Sequence, residues 1–495
     1  MWRENVKNKF MFAAFVFVLF SFSSTVFAAI NTDKKVSLKK ESTSDLNART
    51  KSLEEQVRLL QSQIDVTHPG ISKSMAKMQK TGDYDKENKN RFDTLVEMYA
   101  HGPAVVSSPA FGVRRAAADV YEDESPLMAE LPKTNEDLVL LQLRKKMDDY
   151  AIKNNIEIPT RPIIALSGAV EGNISYKQEY NKNNKVDVNL DGAQLDIIGE
   201  TGPWVTSALM IDYDDDKLDG NTRVSNSKLR LSRGFVTIGQ LDRSPLYFTI
   251  GQMFVPFGRF GSNMLTKLST KTLGRTKDRA VVLGYSKDAI NVQIFSSPGE
   301  TKGVNNGSLN GFLGHSGVHI GNNYKIGKVK IDLEGSAIGN IAESDGMQKS
   351  VFRFNEAIHS RVWGIDGQAR IKYEPFTIAA EYVGATRYFD SRDLMFNNVG
   401  ARPQALNVEG SVEFRTLGKI SLFAIGYGQT WQALSLAVPK QNYFAEYDID
   451  IFKGVYLAVE YRHDVNYSST DVATNSLPFT GKHKNTVTGK IYVNF

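Results

Sequence analysis

From residue 161 onward the chain divides at its turn residues into about sixteen short stretches in which apolar and polar side chains alternate. They begin near Ile163, Val186, Trp204, Lys228, Leu246, Ala280, Ala289, Val318, Lys328, Val362, Phe376, Gln404, Ile420, Asn442, Val455 and His483. In the first, Leu166, Gly168, Val170, Gly172, Ile174 and Tyr176 stand against Ser167, Ala169, Glu171, Asn173, Ser175 and Lys177. A period of two places one set on each face of a strand. Gly192 to Gly199 breaks the alternation, which predicts a change of register in that stretch.

The last nine residues repeat the pattern. Val487, Gly489, Ile491, Val493 and Phe495 share one face, and Thr488, Lys490, Tyr492 and Asn494 the other. Such a strand suits a wall between lipid and water, or a half-buried strand of a soluble sheet. Its final Phe resembles the terminal signature of bacterial outer-membrane β-barrels. The connections separate the two readings. Links at 200–203, 242–245, 287–288, 327, 374–375, 417–418 and 452–454 are tight. The alternate links, 214–227, 256–279, 298–314, 341–360, 390–403 and 466–482, are mostly longer and polar. An outer-membrane barrel has short turns on the periplasmic side and long loops outside, whereas a soluble sandwich has no reason to sort its loops.

The other end of the chain supports export. Arg3, Lys7 and Lys9 precede an apolar run from Phe10 to Phe22, and Val26-Phe27-Ala28 offers a cleavage site before Ala29. The run is short for a membrane span, and no later stretch of 18 or more apolar residues follows. We therefore expect a signal peptide over 1–28 and a closed antiparallel outer-membrane β-barrel of about 16 strands over 161–495, in the bacterial outer membrane.

Residues 29–160 have a different rhythm. Leu46, Thr50, Leu53, Val57, Leu60 and Ile64 form a heptad seam of about three repeats, which predicts a helix over part of 29–70. It is either a short coiled coil that gathers protomers into a homo-oligomer or an amphipathic helix packed on its own domain. In 71–160, Asn135 is placed to cap a helix carrying Leu138, Leu141 and Met147 that ends before Pro159. This region is periplasmic or enters the lumen as a partial plug.

Composition changes the picture in three ways. Mean hydropathy of −0.31 excludes a helical membrane protein but suits a barrel, where only alternate strand residues meet lipid. No cysteine means no disulfide, no thiolate chemistry and no lipidated N-terminal Cys. A net charge of +5 is small for 495 residues and does not argue for nucleic acid. Nothing points to a cofactor.

A family resemblance becomes visible in four segments. His101-Gly102-Pro103-Ala104-Val105-Val106-Ser107-Ser108-Pro109, Asn135-Glu136-Asp137-Leu138, Gly251-Gln252-Met253-Phe254-Val255-Pro256-Phe257-Gly258 and Ala280-Val281-Val282-Leu283-Gly284-Tyr285 resemble the succession in LbtU-type siderophore porins. These are iron-uptake barrels of Legionella and related bacteria, similar to the Francisella iron-uptake outer-membrane proteins. Val255-Pro256-Phe257-Gly258 alone also resembles the phosphate-selective porins. The resemblance implies uptake of a ferric siderophore and supplies no ligand residues.

The candidate binding residues come from the charge pattern. Arg259, Lys267, Lys271, Arg275, Lys277 and Arg279 crowd the third long loop, against the single acid Asp278. A loop in this place folds inward in many porins, and a cationic constriction favours anions. Arg binds carboxylates in a two-pronged way, so a polycarboxylate chelate would suit the cluster. The alternative is contact with lipopolysaccharide phosphates, or simple solvation. Asp212, Asp214, Asp215, Asp216 and Asp219 fail the EF-hand order and read as a solvated loop. His315 and His319 lie too far apart on a strand for easy shared ligation and read as loop histidines. His463-Asp464 lacks a nucleophile motif nearby, so no enzyme is expected. Three function classes remain: a siderophore-selective porin, then a general or anion-selective diffusion porin, and last an outer-membrane enzyme or adhesin.

Overall fold

The computed structural model describes residues 127–129, 132–157, 162–178, 184–215, 227–301, 315–352, 358–452, 454–474 and 480–495. The heptad positions Leu46 to Ile64 and the segment His101 to Phe111 lie outside them.

The strands, in chain order, are β1 (Ile163–Gln178), β2 (Asn184–Thr201), β3 (Val205–Asp215), β4 (Ser227–Gly239), β5 (Leu246–Phe254) and β6 (Lys277–Lys287). They continue with β7 (Ile290–Ser297), β8 (His315–Ile326), β9 (Val329–Ile338), β10 (Gly364–Tyr373) and β11 (Phe376–Ala385). A small loop hairpin, β12 (Met395–Phe396) with β13 (Val399–Gly400), precedes the last five. These are β14 (Gln404–Thr416), β15 (Lys419–Trp431), β16 (Gln441–Phe452), β17 (Val455–Val465) and β18 (His483–Asn494). Apart from the hairpin, each strand pairs antiparallel with the next, and β18 pairs with β1, so sixteen strands close into one barrel. Closure follows from the solvent, because lipid offers no partner to an open strand edge.

The seam of closure shows what the terminal Phe does. Gly168 and Phe495 exchange backbone hydrogen bonds of 2.7 and 2.9 Å. A Cβ built on Gly168 would meet the Phe495 ring at 2.6 Å, so glycine there lets the ring lie across the seam.

Alternation decides which face meets lipid. Val170, Ile250, Leu283, Ile294, Ile378 and Ile425 are exposed on the outer wall, with polar neighbours inside. Along β18, Ile491, Val493 and Phe495 are exposed while Lys490 and Tyr492 are buried in the lumen. Trp204, Tyr373, Phe376, Phe414 and Phe452 are exposed beside the short turns, and Trp363, Trp431 and Tyr443 beside the long loops. Two aromatic girdles around an apolar band match the interfaces of a membrane. The protein resides in the bacterial outer membrane.

The short turns use residues able to take positive φ. Leu417 and Gly418, at 53° and 79°, make the two-residue link between β14 and β15. Two successive positive φ values match the right-handed twist of the flanking strands. The register change expected within Gly192 to Gly199 falls one residue earlier. Glu171 pairs with Gly192 and Gly172 with Leu190, which leaves Asp191 as the extra residue of a bulge.

Helix α1 (Glu136–Lys153) packs against lumenal side chains. Leu138 and Leu141 meet Tyr247, while Val139, Leu140, Leu143 and Met147 join a cluster with Ile163, Ile198, Met210 and Phe235. Apolar residues on several sides of one helix mean burial on several sides. Its second half is tied to the short-turn end: Arg144 donates to the Gly202 carbonyl at 2.8 Å, and Lys145 reaches Asp242 at 2.8 Å. Its first turn lies further in, where Asp137 accepts from Thr249 at 2.7 Å and Arg233 lies 3.1 Å from Glu136.

Candidate solute path: the third loop and the lumenal cavity

Residues 255–276, the loop between β5 and β6, fold into the lumen. Three lumenal glutamates on well-separated strands hold it there. Glu381 of β11 accepts from the backbone N–H groups of Arg259 and Phe260 at 3.0 and 2.8 Å, and from the Thr270 hydroxyl at 3.0 Å. Glu409 of β14 accepts from the Ser262 hydroxyl and from Asn263 N–H at 2.8 Å. Glu460 of β17 accepts from Leu265 N–H and the Thr266 hydroxyl, both at 2.7 Å. Arg462, two residues on and facing the same way, donates to the Thr266 hydroxyl at 2.7 Å and the Lys267 carbonyl at 3.0 Å. An irregular loop carries many unpaired N–H groups, and ionised acceptors satisfy them at about 1.5–3 kcal/mol each. The apolar side of the loop is buried as well: Phe257 and Val255 join a cluster with Leu273, Ile341, Met347 and Val383. Helix α2 (Ser269–Gly274) lies within the loop, and α3 (Asp345–Ser350), in the long loop between β9 and β10, packs on it.

The six basic residues do not converge. Arg259 is buried against Asp332 and, at 2.9 Å, Glu334, so its charge is spent inside the wall. Lys277 and Arg279 alternate with buried Ala280 and Val282 on the face of β6 that carries exposed Leu283, so they point away from the lumen. Arg275 lies 3.3 Å from Asp345 and stacks on the Phe254 ring at 4.5 Å. Lys267 and Lys271 alone of the six line the lumenal cavity.

That cavity has a volume of about 310 Å³. It lies between loop 3, the segment before α1 and the wall β18–β1–β2–β3–β4. Lys133, Lys490 and Arg233 join Lys267 and Lys271 on its lining, facing Glu136, Glu171, Asp191 and Asp212. Much of this charge is paired: Lys490 reaches Glu171 at 2.7 Å and Asp191 at 2.5 Å, and Arg233 lies between Glu136 and Asp212. Lys267 differs. Its side chain is exposed to the lumen, and desolvation by the surrounding wall, followed by the charges of Lys349, Arg275 and Arg462, holds its pKa below the usual lysine value. Arg275 and Arg462 are each paired with an acid, Asp345 at 3.3 Å and Asp464 at 2.6 Å, and Lys267 adds its charge beside them on the cavity wall.

The remaining candidates separate. Asp212 faces Arg233 at 3.8 Å, and the side chains of the four later aspartates lie outside the described residues. His315 and His319 are in β8 rather than a loop, both buried on the lumenal face, with His319 3.3 Å from Asn135. They were misplaced because a run with Gly317 and Gly321 reads weakly as a strand. His463 and Asp464 are neighbours on β17 and so point to opposite faces; His463 bonds Asn485 and Asp464 bonds Arg462.

No family model matches the chain. A UPF0422 protein of Coxiella burnetii is 34% identical over 427 residues, covering 86% of this chain and 87% of its own. A UPF0422 protein of Legionella pneumophila is 33% identical over 429 residues, covering 81% and 79%. The chain belongs to the UPF0422 family. Among solved structures, the outer membrane channel DcaP of Acinetobacter baumannii is similar at TM-score 0.46 and 15% identity, over 68% of this chain and 98% of its own. An anion-selective porin from Comamonas acidovorans is similar at TM-score 0.46 and 11% identity, over 68% and 100%.

In this UPF0422 barrel the residues that sequence reasoning missed are the wall residues Glu381, Glu409, Glu460 and Arg462, and the cavity lysines Lys133 and Lys490. A signal was present for some of them. Glu460, Arg462 and Asp464 occupy alternate positions of one strand, which makes a charged lumenal face legible by period 2.

Proposed function

We propose that this barrel is a porin that admits anionic solutes, and that its cargo is a ferric siderophore of the polycarboxylate type. The observation that carries the reading is Lys267, exposed on the cavity wall with Lys349, Arg275 and Arg462 as its charged neighbours. A volume of about 310 Å³ is at the lower end of small-molecule sites, so a chelate would fit closely. Two unit charges at 4 Å gain only about 1 kcal/mol in water, so such residues act by concentrating and steering an anion rather than by holding it tightly. The family resemblance adds iron chelates as the class of anion, and the alternative is a general anion-selective diffusion porin.

The test is a planar bilayer experiment under a KCl gradient with purified protein, joined to uptake of labelled ferric chelates in cells. We expect a reversal potential on the anion side that moves toward neutrality in Lys267→Gln/Lys271→Gln, together with loss of polycarboxylate chelate uptake relative to a neutral chelate. A cation-selective wild-type channel overturns the anion path. An anion-selective channel that takes up no ferric chelate leaves the diffusion porin and removes the siderophore.

A further inference from the structure

Two of the six basic residues around the third loop end up on the outside of the barrel. Lys277 and Arg279 are exposed on the face of β6 that also carries exposed Leu283 and Tyr285. They lie ten and eight residues from Lys287 at the short-turn end, since 287 minus 277 is ten and 287 minus 279 is eight. At about 3.3 Å per residue and about 45° of tilt, that is roughly 23 and 19 Å above that end, at the upper edge of an apolar band about 25 Å tall. Lys and Arg lay their stems along apolar surface and carry the charge outward, so both reach the headgroup level of the outer leaflet.

The wall around the pair holds these charges in place without neutralising them. Phe254, on the rung of Lys277, is buried: its ring lies 4.5 Å from the Arg275 guanidinium and 5.9 Å from the Lys277 ammonium. A ring face attracts cations, so it gathers these two at the rim. Gln252, on the rung of Arg279, donates to the carbonyls of Leu231 and Ser232 at 3.2 and 3.0 Å, which closes the bulge of β4 and keeps the wall continuous. Asp278 points to the other face of the strand and accepts the Arg279 and Gly299 N–H groups at 2.7 and 3.1 Å. Among the described residues neither Lys277 nor Arg279 forms an ion pair, whereas Arg275 reaches Asp345 at 3.3 Å. The described rim of β4 to β6 also carries no exposed aromatic, while Trp363, Trp431 and Tyr443 stand beside the long loops elsewhere. At this point of the upper girdle, cations replace rings.

Below the pair the same face is apolar. Ile250 and Val281 share one rung, and Phe248, Leu283 and Ile294 the one beneath it. We propose that this face of β6 is a docking site for a phosphorylated lipid of the outer leaflet. Its phosphate bridges Lys277 and Arg279, and its acyl chains lie along Ile250, Leu283 and Ile294. Side chains two apart on a strand are about 7 Å apart at their bases, so two long cations converge on one anion between them. A phosphate monoester offers them about 1.5–2 negative charges and three acceptor oxygens. The site uses residues that the lumenal path does not, and stands whether or not that path selects anions.

The test uses the purified full chain in a neutral detergent, with bisphosphorylated lipid A as the probe and its dephosphorylated form and inorganic phosphate in parallel. Native mass spectrometry counts the lipid retained. The bisphosphorylated form should bind and the dephosphorylated form should not. Lys277→Gln/Arg279→Gln should weaken binding roughly tenfold, since each cation near an anionic lipid adds a modest attraction. Lys287→Gln, exposed on the same face at the short-turn end, should leave it unchanged, and Lys277→Arg/Arg279→Lys, which keeps both charges, should bind like wild type. Equal binding of the two lipid forms overturns the site, as does undiminished binding in the Gln variant or an equal loss in Lys287→Gln. Displacement of the lipid by inorganic phosphate at comparable concentration would make the pair a free-phosphate site and remove the lipid. A loss in the charge-keeping variant as large as in the Gln variant would assign the effect to misfolding and overturn the site. A shifted reversal potential in the Gln variant would overturn it too, by returning the pair to the lumen.

Discussion

Along β9, β11 and β14 the third loop packs against the lumenal wall, whereas along β18 and β1 to β4 the wall lines a charged cavity, and both halves are made from the same alternating strands. In the packed half the wall carboxylates Glu381 and Glu409 bond to the loop's own amides, and Phe257, Leu273, Met347 and Val383 exclude water behind them. In the open half, Glu171, Asp191 and Asp212 form ion pairs with Lys490 and Arg233 along the cavity wall. A lumenal carboxylate thus seals or lines the passage according to whether a loop's N–H groups or a wall cation reaches it.

The strongest way to break this contrast is to empty the packed half. Phe257 is fully buried, and Phe257→Ala should cost about 3–5 kcal/mol by loss of contacts and a residual cavity. Heat-modifiable migration on gels would report it as a lower transition temperature. A transition unchanged from wild type would mean that loop 3 does not share in the stability of the barrel.

Next in size is the effect of pH on the first turn of α1. Burial, opposed by the Arg233 charge, raises the Glu136 pKa to about 7. A carboxyl that keeps its proton longer in the folded state stabilises that state at low pH, and the contribution falls as pH rises from the unfolded value near 4.5 to about 7. The change is at most about 3 kcal/mol. Spin-label mobility near the N-terminal end of α1 should rise over that window in wild type and stay level in Glu136→Gln. A matching rise in the variant would assign the effect to another group.

Removing one anchor should sharpen the contrast from the other side. Glu460→Ala leaves Leu265 N–H and the Thr266 hydroxyl without their acceptor, at a cost of about 1–3 kcal/mol. Since Glu460 holds the part of the loop that borders the cavity, single-channel records should show higher or noisier conductance, more so than in Glu381→Ala. The reverse ranking would place the constriction on the packed side. The smallest effect on stability should come from Lys267→Gln, within about 0.5 kcal/mol, because the residue is exposed. Its effect should appear in selectivity alone, and a change in the melting transition of more than that would give Lys267 a structural role.

How much of this was readable beforehand varies by element. All sixteen barrel strands were anticipated from alternation, because lipid on one face and a polar lumen on the other force period 2 wherever the chain crosses. The helix bearing Leu138, Leu141 and Met147 was legible from its spacing, but the expected cap was not made, since the Asn135 side chain reaches His319 at 3.3 Å instead of a helix N–H, and its packing inside the barrel was not legible, since apolar periodicity says that a face is covered and not by what. The basic loop was legible as a cluster of charge. That Arg259 is spent on Asp332 and Glu334, while Lys267 borders the cavity, was not, because loop residues have no period that fixes their direction.

By itself the sequence determined the membrane, the barrel, a strand number of about sixteen and, away from the bulges, the side of the wall on which strand residues fall, since these follow from local alternation and from which links are short. Only the tertiary structure decided which carboxylates meet loop amides and which lysines border the cavity. Those depend on strand tilt and on the path of a loop across the lumen, and they bring together residues as distant in sequence as Leu265 and Glu460.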